Sequence, residues 1–344
     1  MKAIVDDKIP YIREALSMMG VDATYAPGQQ IDNTLIRDAD ALIVRTRTRC
    51  DETLLQGSRV QFIATATIGY DHIDTAYCAA KGIRWTNAPG CNATSVRQYV
   101  QSVLLLLQKE KGIELNKSTI GIVGVGHVGT LVAHMATAWG MRVLLCDPPR
   151  TERGEQGFVS LGAITREADI ISLHTPLTYG GGHPTFHLAN ETFFNSLERK
   201  PYFINTSRGE VTDTKALLQA LEQGSIAQCI VDVWEDEPHI NLTLLNNCYI
   251  GTPHIAGYSA DGKANATRMS LEALNRHFHL GEVPPIAPPN PTLTIHASTD
   301  RKDYLIAIYN PHTDSKALKA HPELFEHLRG NYPLRREEHA YTGL

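Results

Sequence analysis

The stretch STIGIVGVGHVGTLVAHMATAWG, residues 118–140, decides the fold of this chain. The apolar run at 120–123 predicts a buried strand, and residues 131–139 predict a helix. Between them, Gly124, Gly126 and Gly129 have the spacing G-x-G-x-x-G, and a position between strand and helix is the context that gives this spacing meaning. The sequence therefore predicts a βαβ unit that binds the pyrophosphate of a dinucleotide at the start of the helix.

Each position of this turn has its own task in that prediction. Gly124 permits the tight turn, Gly126 lets the backbone approach the pyrophosphate, and Gly129 lets the helix pack on the sheet. The amides of His127 and Val128 are expected to face the phosphates, where the helix dipole favours an anion. A plain strand-to-helix turn would have the same spacing, and this alternative stays open at the level of the sequence.

Asp147 follows the next predicted strand, residues 142–146. An acidic residue there hydrogen-bonds the adenosine ribose and repels a 2′-phosphate, so NAD is favoured over NADP. Arg150 lies nearby and could accept that phosphate, which leaves the preference open.

The alternation of strands and helices continues on both sides of the turn and predicts an α/β fold with parallel sheets. Upstream, strands are predicted at 3–5, 41–44 and 62–66, and helices at 11–19, 53–55 and 95–107. Downstream, strands are predicted at 168–173, 202–205, 229–233 and 248–250, and helices at 214–223 and 261–280.

A chain of 344 residues is too long for one ordinary core. We predict two Rossmann-like, doubly wound parallel-sheet domains and a small C-terminal α+β unit, in which residues 304–309 form a strand or a helix. The predicted boundaries are 1–92 with 256–282 for a substrate-binding domain, 93–255 for the NAD-binding domain, and 283–344 for the last unit. Five prolines within residues 281–291 predict a stiff linker before that unit.

Composition narrows the classes of function. The net charge of −5 disfavours a nucleic-acid groove, and no run of 18 apolar residues predicts a membrane span. The N-terminus lacks the pattern of a signal peptide. Six scattered cysteines without a CxxC pair fit reduced thiols in the cytoplasm, and we expect no metal site.

Three segments far apart in the chain each contain one side chain suited to chemistry: NTSRGEV (205–211), DVWEDEP (232–238) and TPHIAGYS (252–259). The guanidinium of Arg208 can hold a carboxylate through two hydrogen bonds. The imidazole of His254 can take a hydroxyl proton, and the carboxylate of Glu237 can stabilise the imidazolium. Together they predict oxidation of a 2-hydroxy acid beside a dinucleotide. Asp232 ends its strand and could face the nicotinamide.

Ordinary structural explanations compete with each of these assignments. His254 could be a structural histidine, since the chain has fifteen histidines. Glu237 could belong to a solvated acidic loop, and Arg208 could be a surface arginine in a turn.

Two stretches near the N-terminus are candidates for the rest of the substrate site. Arg45 and Thr46 follow one predicted buried strand, and Thr67 and Gly69 follow another. Hydroxyl and guanidinium groups at strand ends suit a phosphate, although a solvated basic loop would look the same.

With these residues laid out, the chain resembles the D-isomer-specific 2-hydroxyacid dehydrogenases. The resemblance rests on segments in order along nearly the whole chain, among them FIATATIGYDHID, TIGIVGVGHVG, HTPLT, INTSRGEVTD and DVWEDEP. It implies that Arg208, Glu237 and His254 are catalytic. It further implies NAD contacts from Asp147, Thr175, Thr206, Ser207, Asp232 and Gly257. Substrate contacts are implied for Thr46, Thr67 and Tyr258, with backbone amides near Gly69 beside Arg208 on the carboxylate.

Narrower segments, namely PGCNA, CDPPR, HIAGYSADGK and the tail LRGNYPLRRE, resemble one branch of that family. Membership implies oxidation of 4-phospho-D-erythronate to 2-oxo-3-hydroxy-4-phosphobutanoate in vitamin B6 biosynthesis, and a homodimer held by the C-terminal unit. Two other functions stay open. One is a broad 2-hydroxyacid dehydrogenase or glyoxylate/hydroxypyruvate reductase, and the other is an interaction protein that senses the dinucleotide.

The chain departs from the family pattern at a few positions. Thr46 stands where a serine is usual, and Tyr70 replaces a usual threonine. Arg97 and Gln98 replace Ala-Glu, which we interpret as a change on the surface of a helix. The chain also ends soon after RREE (335–338) and is shorter than many members.

Overall fold

The structure is a computed structural model that describes residues 1–291, 295 and 300–341. The chain forms two compact units, each made of two segments. Unit 1 comprises Met1–Asn92 and Ser259–Asn290, and unit 2 comprises Ala93–Tyr258 and Pro291–Leu344. Of the segment 283–344 that we predicted as a separate C-terminal unit, residues 283–290 fall in unit 1 and the rest falls in unit 2. Its role in dimerisation stays a prediction.

In the first 92 residues, strands alternate with short helices: β1 (Lys2–Asp6), α1 (Ile12–Met18), β2 (Asp22–Ala26), α2 (Asn33–Ile36), β3 (Ala41–Val44), α3 (Glu52–Leu55), β4 (Phe62–Thr65), α4 (Thr75–Lys81) and β5 (Arg84–Thr86).

The middle of the chain repeats this alternation with longer helices: α5 (Ala93–Lys111), β6 (Thr119–Val123), α6 (His127–Ala138), β7 (Arg142–Cys146), α7 (Pro148–Glu152), α8 (Leu161–Glu167), β8 (Ile170–Leu173), α9 (Glu191–Asn195), β9 (Tyr202–Asn205), α10 (Thr214–Glu222), β10 (Gln228–Val231), α11 (Leu242–Asn247) and β11 (Ile250–Gly251). The remaining described elements are helical: α12 (Ala260–Phe278), α13 (Arg301–Ile308), α14 (Pro311–Ala320) and α15 (Phe325–Gly330).

Unit 1 is a five-stranded parallel sheet in the order β2-β1-β3-β4-β5, with helices on both faces. Neighbouring residues on β3 point to opposite cores. Ile43 packs with α1 and α12, while Leu42 packs with α2, α3 and α4. Helix α12 follows the cap Ser259, whose hydroxyl accepts a hydrogen bond from Gly262 N, and it lies in unit 1.

Unit 2 contains a six-stranded parallel sheet in the order β11-β10-β9-β8-β6-β7. On β8, Ile170 faces a core that includes α5 and α6, and Ile171 faces a second core that includes α8, α9 and α10. Both sheets are therefore doubly wound, as predicted. The central strands are short apolar runs because both of their faces are covered.

The C-terminal segment packs on unit 2. Ser315 of α14 accepts a hydrogen bond from the backbone N–H of Gly251 in β11, and Lys319 donates to the carbonyl of Cys248. Helix α14 therefore covers the exposed edge of the sheet, where an unpaired strand would otherwise offer its backbone to another chain. Residues 304–309, for which strand and helix were both open, lie mainly in helix α13. The strands of the predicted α+β unit are not found among the described residues of this segment.

Two strands were missing from the prediction. Strand β2 consists of half-buried and exposed residues, and β5 has only three residues, so neither forms an apolar run. Both lie at the edges of the unit 1 sheet, where burial on two faces is not required.

The interpretation of Arg97 as a surface change on a helix was wrong. The side chain of Arg97 is 13% exposed and pairs with Glu338 at 2.8 Å, and Gln101 also donates to Glu338. Gln98 is buried. Because Glu338 is distant in sequence, nothing local to the helix could reveal this partner.

No helix in the described part of the chain has the length and apolar character needed to cross a membrane.

Replacement of Arg97 by Ala is expected to lower the free energy of unfolding by about 1–2 kcal/mol, because Glu338 loses a charge-assisted hydrogen bond in a half-buried place. The matched control is Arg142→Ala, which breaks the exposed pair with Glu167 and should cost less than about 0.5 kcal/mol. Urea unfolding of R97A, E338A and the double variant measures the coupling directly. Purely additive effects of the two substitutions would contradict the pair.

Candidate active site and dinucleotide turn

The glycine-rich turn lies where the strand order of unit 2 reverses, because β6 pairs with β7 on one side and with β8 on the other. Ligands of doubly wound sheets bind at such a point, beyond the carboxyl ends of the strands. Gly124 has a φ of 87°, and an added Cβ would lie 2.7 Å from the backbone of His174. A Cβ on Gly129 would overlap the carbonyl oxygen of Gly124, whereas a Cβ on Gly126 would meet open space. The tight turn at Gly124 and the close packing at Gly129 agree with their predicted roles, and the approach of Gly126 to a pyrophosphate stays a prediction.

Asp147 caps helix α7 and reaches back to the turn. Its carboxylate accepts hydrogen bonds from the backbone N–H of Val125 at 2.8 Å and of Arg150 at 3.2 Å. The guanidinium of Arg150 donates to Glu155 at 2.7 Å and to the carbonyl of Val125 at 2.7 Å. Arg150, which could have bound the 2′-phosphate of NADP, is thus paired with Glu155. The carboxylate of Asp147 favours a free ribose hydroxyl over a 2′-phosphate.

The residues around the turn fit a dinucleotide. The hydroxyl of Thr175 is buried and has no hydrogen-bond partner among the described residues, although it lies next to the backbone that contacts Gly124. Helix α6 begins at His127, directly after the open face of Gly126, so its first amides and dipole are available to an anion. An orphaned hydroxyl beside an open helix start is consistent with a ligand that supplies both an acceptor and negative charge.

Thr206 and Ser207 follow strand β9 and are held by their neighbours. Ser207 donates to the side-chain oxygen of Asn205 through both its backbone N–H and its hydroxyl, at 3.0 and 2.8 Å. Thr206 is hydrogen-bonded to the ring of His174, whose other nitrogen contacts Ser172 at 2.9 Å. Burial lowers the pKa of His174 to about 3, so this ring stays neutral. It acts as a polar connection between two strand ends.

His254 and Glu237, which are far apart in sequence, meet as predicted. Nδ1 of His254 donates to Glu237, with distances of 2.8 Å to Oε2 and 3.1 Å to Oε1. The side chains are 26% and 17% exposed. No described residue is hydrogen-bonded to the other ring nitrogen, Nε2, which is therefore available to a substrate hydroxyl.

The environment keeps Glu237 ionised. Burial raises the pKa of its carboxyl, but the hydrogen bond and charge of His254, the backbone N–H of Trp234 and the charge of Arg329 outweigh this effect. The net result is a pKa below the ordinary value of a glutamate. A carboxylate that remains charged can stabilise an imidazolium whenever His254 takes up a proton.

The loop that presents His254 is built around Asp232. The buried carboxylate of Asp232 accepts hydrogen bonds from the Thr252 hydroxyl at 2.6 Å, from Ile255 N at 2.8 Å and from Ala256 N at 3.0 Å. Burial raises the pKa of Asp232 above its ordinary value, and these donors oppose that rise. Asp232 thus has a structural task that the sequence did not indicate. Its contact with the cofactor stays a prediction, as does that of Gly257.

Arg208 lies in the turn that follows strand β9. The side chain of Asn205 donates to the carbonyl of Arg208, and the guanidinium donates to the carbonyl of Ser207 at 2.8 Å. A Cβ on Gly209 would overlap the backbone of Trp234, so only glycine allows this close approach to the segment that contains Glu237. None of the ion pairs among the described residues includes Arg208, which leaves its charge for an anionic substrate.

In unit 1, the predicted substrate residues follow β3 and β4. Arg45 donates two hydrogen bonds of 3.2 Å to Asp6, a carboxylate that is fully buried. This pairing engages the guanidinium that we predicted would hold a phosphate. Thr46 is exposed, and the hydroxyl of Thr67 contacts Thr65 at 2.7 Å and donates to the carbonyl of Gly69 at 2.9 Å. Substrate contacts of these residues stay predictions.

One residue beside the His254–Glu237 pair was missed. Arg329 of helix α15 donates through Nε to the hydroxyl of Tyr258 at 3.1 Å, and its Nη1 lies 3.5 Å from Glu237. From the sequence, the tail LRGNYPLRRE indicates only a family resemblance. No local signal separates Arg329 from the other arginines of that tail.

Comparison with known proteins agrees with this geometry. Residues 93–256 match the profile of the family described as D-isomer specific 2-hydroxyacid dehydrogenase, NAD binding domain. The erythronate-4-phosphate dehydrogenase of Bacteroides thetaiotaomicron is 57% identical over 343 residues, covering 99% of each chain. The enzyme of the same name from Porphyromonas gingivalis is 44% identical over 352 residues, covering 99% of this chain and 95% of its own.

Among solved structures, the D-lactate dehydrogenase of Aquifex aeolicus, complexed with NAD and lactic acid, aligns with a TM-score of 0.66. It is 27% identical and covers 81% of this chain and 96% of its own length. The predicted α/β fold with two Rossmann-like parallel sheets and NAD as the cofactor are therefore confirmed. Because relatives of such high identity span nearly the whole chain, this protein belongs to the D-isomer-specific 2-hydroxyacid dehydrogenase family, and residues 93–256 match the NAD-binding domain of that family.

Proposed function

We propose that this chain oxidises 4-phospho-D-erythronate at C2 to 2-oxo-3-hydroxy-4-phosphobutanoate in the biosynthesis of vitamin B6. The observation that carries the reaction type is the hydrogen bond between His254 and Glu237. Arg208 precedes Gly209, which packs against the backbone of Trp234 in the segment that contains Glu237. The substrate is supported by the erythronate-4-phosphate dehydrogenases that align with this chain end to end.

In this proposal the guanidinium of Arg208 binds the C1 carboxylate and orients C2. Glu237 holds the imidazole of His254 through Nδ1, so that Nε2 faces the C2 hydroxyl and removes its proton. Glu237 stays ionised and stabilises the imidazolium that forms. Bound at the glycine-rich turn, NAD would supply the acceptor for the hydride of C2. Thr175, Ser207 and Asp147 are the side chains that we expect to hold it.

The substrate needs polar groups for its phosphate and for its carboxylate. We assign Thr46, Thr67 and Tyr258 to the substrate, with backbone amides near Gly69 beside the carboxylate. Arg45 acts in this scheme mainly through Asp6, which fixes the loop that presents Thr46. Tyr70 is 47% exposed, and its ring packs against the ring of Trp85 with centroids 4.8 Å apart.

We further propose a homodimer that uses the C-terminal segment, in the cytoplasm. The exposed Leu324 and Leu334 of that segment support an apolar contact, and the six buried free cysteines support a reducing compartment. Sedimentation of the full chain tests the dimer, and a monomer at micromolar concentration would overturn it.

The experiment that tests the function measures NADH formation with 4-phospho-D-erythronate, unphosphorylated erythronate and 3-phosphoglycerate, with a 2-oxoacid present to recycle retained cofactor. We expect a strong preference for 4-phospho-D-erythronate. Equal activity on unphosphorylated hydroxy acids would instead favour a broad 2-hydroxyacid dehydrogenase. No turnover with NAD bound would favour the sensing function.

Replacement of His254 by Ala is expected to lower kcat by roughly 10²- to 10⁴-fold, which is the usual contribution of a general base. Binding of NAD, measured by isothermal titration, serves as the control and should be retained. A loss of less than about tenfold would remove His254 from the role of base.

Replacement of Arg208 by Lys keeps the charge but removes the two-pronged geometry. We expect kcat/KM to fall by roughly 10- to 100-fold, the effect of losing one charge-assisted hydrogen bond. Arg199→Lys is the matched control, because Arg199 forms an exposed ion pair with Asp169. Unchanged kinetics in R208K would contradict the assignment of Arg208.

A further inference from the structure

The C-terminal segment contacts the loop that presents His254 through two arginines. Arg335 is buried and donates to the carbonyl of Ala256 at 2.6 Å. Arg329, whose side chain is 25% exposed, donates to the hydroxyl of Tyr258 at 3.1 Å and lies 3.5 Å from Glu237. Arg335 thus contacts the backbone next to His254, and Arg329 lies beside its partner Glu237.

The position of this segment is fixed by its own packing. The guanidinium of Arg335 stacks over the ring of Tyr309 at 4.1 Å, and the hydroxyls of Tyr309 and Tyr332 both donate to Asp314. Further along, Glu337 accepts a hydrogen bond from Ser95 at 2.8 Å. Arg329 therefore belongs to a segment that these contacts hold in place.

The carboxylate of Glu237 is held from three sides. Trp234 N donates to Oε1 at 3.0 Å, Nδ1 of His254 contacts Oε2 at 2.8 Å, and Nη1 of Arg329 faces the same Oε2 at 3.5 Å. Without Arg329, His254 is the only one of these three groups that contacts Oε2. The carboxylate would then be freer to rotate away from the imidazole.

We propose that Arg329 is a positioning residue for the reaction, which acts through Glu237 to orient and tune His254. This inference rests on the proposed acid–base role of His254. It assigns to the C-terminal segment a part in the chemistry that is separate from any role in dimerisation.

The direction of the effect follows from the charges around the pair. Asp232 interacts by charge with His254, and Arg329 interacts by charge with Glu237. Tyr258 and Glu326 interact by charge with Arg329. Removal of the Arg329 cation leaves the surroundings of the imidazole more negative, which favours the imidazolium. The neutral base then requires a higher pH, so the rising limb of the kcat profile for oxidation should move to higher pH.

The test compares wild type, Arg329→Gln and Arg329→Lys, with Arg142→Gln as the matched control for loss of an ion-paired arginine elsewhere in unit 2. In R329Q we expect the rising limb of the kcat profile to move up by about one pH unit, with kcat recovering at high pH. R329K keeps the charge and should stay close to wild type, as should R142Q. KM should change less than kcat measured on the rising limb.

A second measurement does not depend on the substrate. The imidazole carbons of His254 are followed by NMR against pH in wild type and R329Q, without substrate, and assigned with H254Q. We expect the titration midpoint to be higher in R329Q. If the protein does not turn over 4-phospho-D-erythronate but the midpoint still rises in R329Q, the proposed function fails while the effect of Arg329 on His254 stands.

Three results would overturn the inference. One is a pH profile in R329Q that coincides with wild type. Another is a large rise in KM for the phosphorylated substrate with an unmoved profile, which would make Arg329 a direct substrate contact. The third is a kcat in R329Q and R329K that falls equally at every pH, which would indicate a structural role only.

Discussion

The active-site half of unit 2 depends on one buried carboxylate. Asp232 is withdrawn from water, which is costly for a charged group unless donors replace the lost hydration. A hydroxyl and two backbone amides of the loop 252–256 supply those donors, and so the loop closes around Asp232. The backbone of His254 lies in the left-handed region at a φ of 55°, a conformation that a non-glycine residue adopts only when its surroundings enforce it. The hydrogen bonds to Asp232 provide that enforcement, and they aim the imidazole at Glu237.

Part of the site could be predicted from the spacing of its residues and from the order of the strands and helices along the chain. The glycine-rich turn after β6 and the buried strands follow from local patterns, because a strand covered on both faces must be an apolar run. Arg208, Glu237 and His254 each follow a strand, and parallel strands bring their carboxyl ends to one edge. The meeting of His254 with Glu237 was therefore predictable.

What the sequence did not reveal has a common physical cause. Asp6 paired with Arg45, Glu338 paired with Arg97, and Arg329 beside Glu237 are all contacts between residues distant in the chain. A charged residue looks the same in a sequence whether water or a buried partner surrounds it. Strands β2 and β5 were missed for a related reason, since an edge strand needs little burial and so shows little pattern.

Because of its connectivity, each unit can complete its fold only late in synthesis. Unit 1 needs helix α12, and unit 2 needs the segment after Pro291, so each unit contains an early and a late piece of the chain. On the ribosome, where domains generally fold as units from the N-terminus, neither sheet can acquire all its covering helices when its last strand emerges. Unit 1 is complete only after residue 290, and the edge of β11 stays uncovered until α14 has been synthesised. A nascent chain paused between these points therefore presents an open sheet edge to its surroundings for as long as translation is delayed.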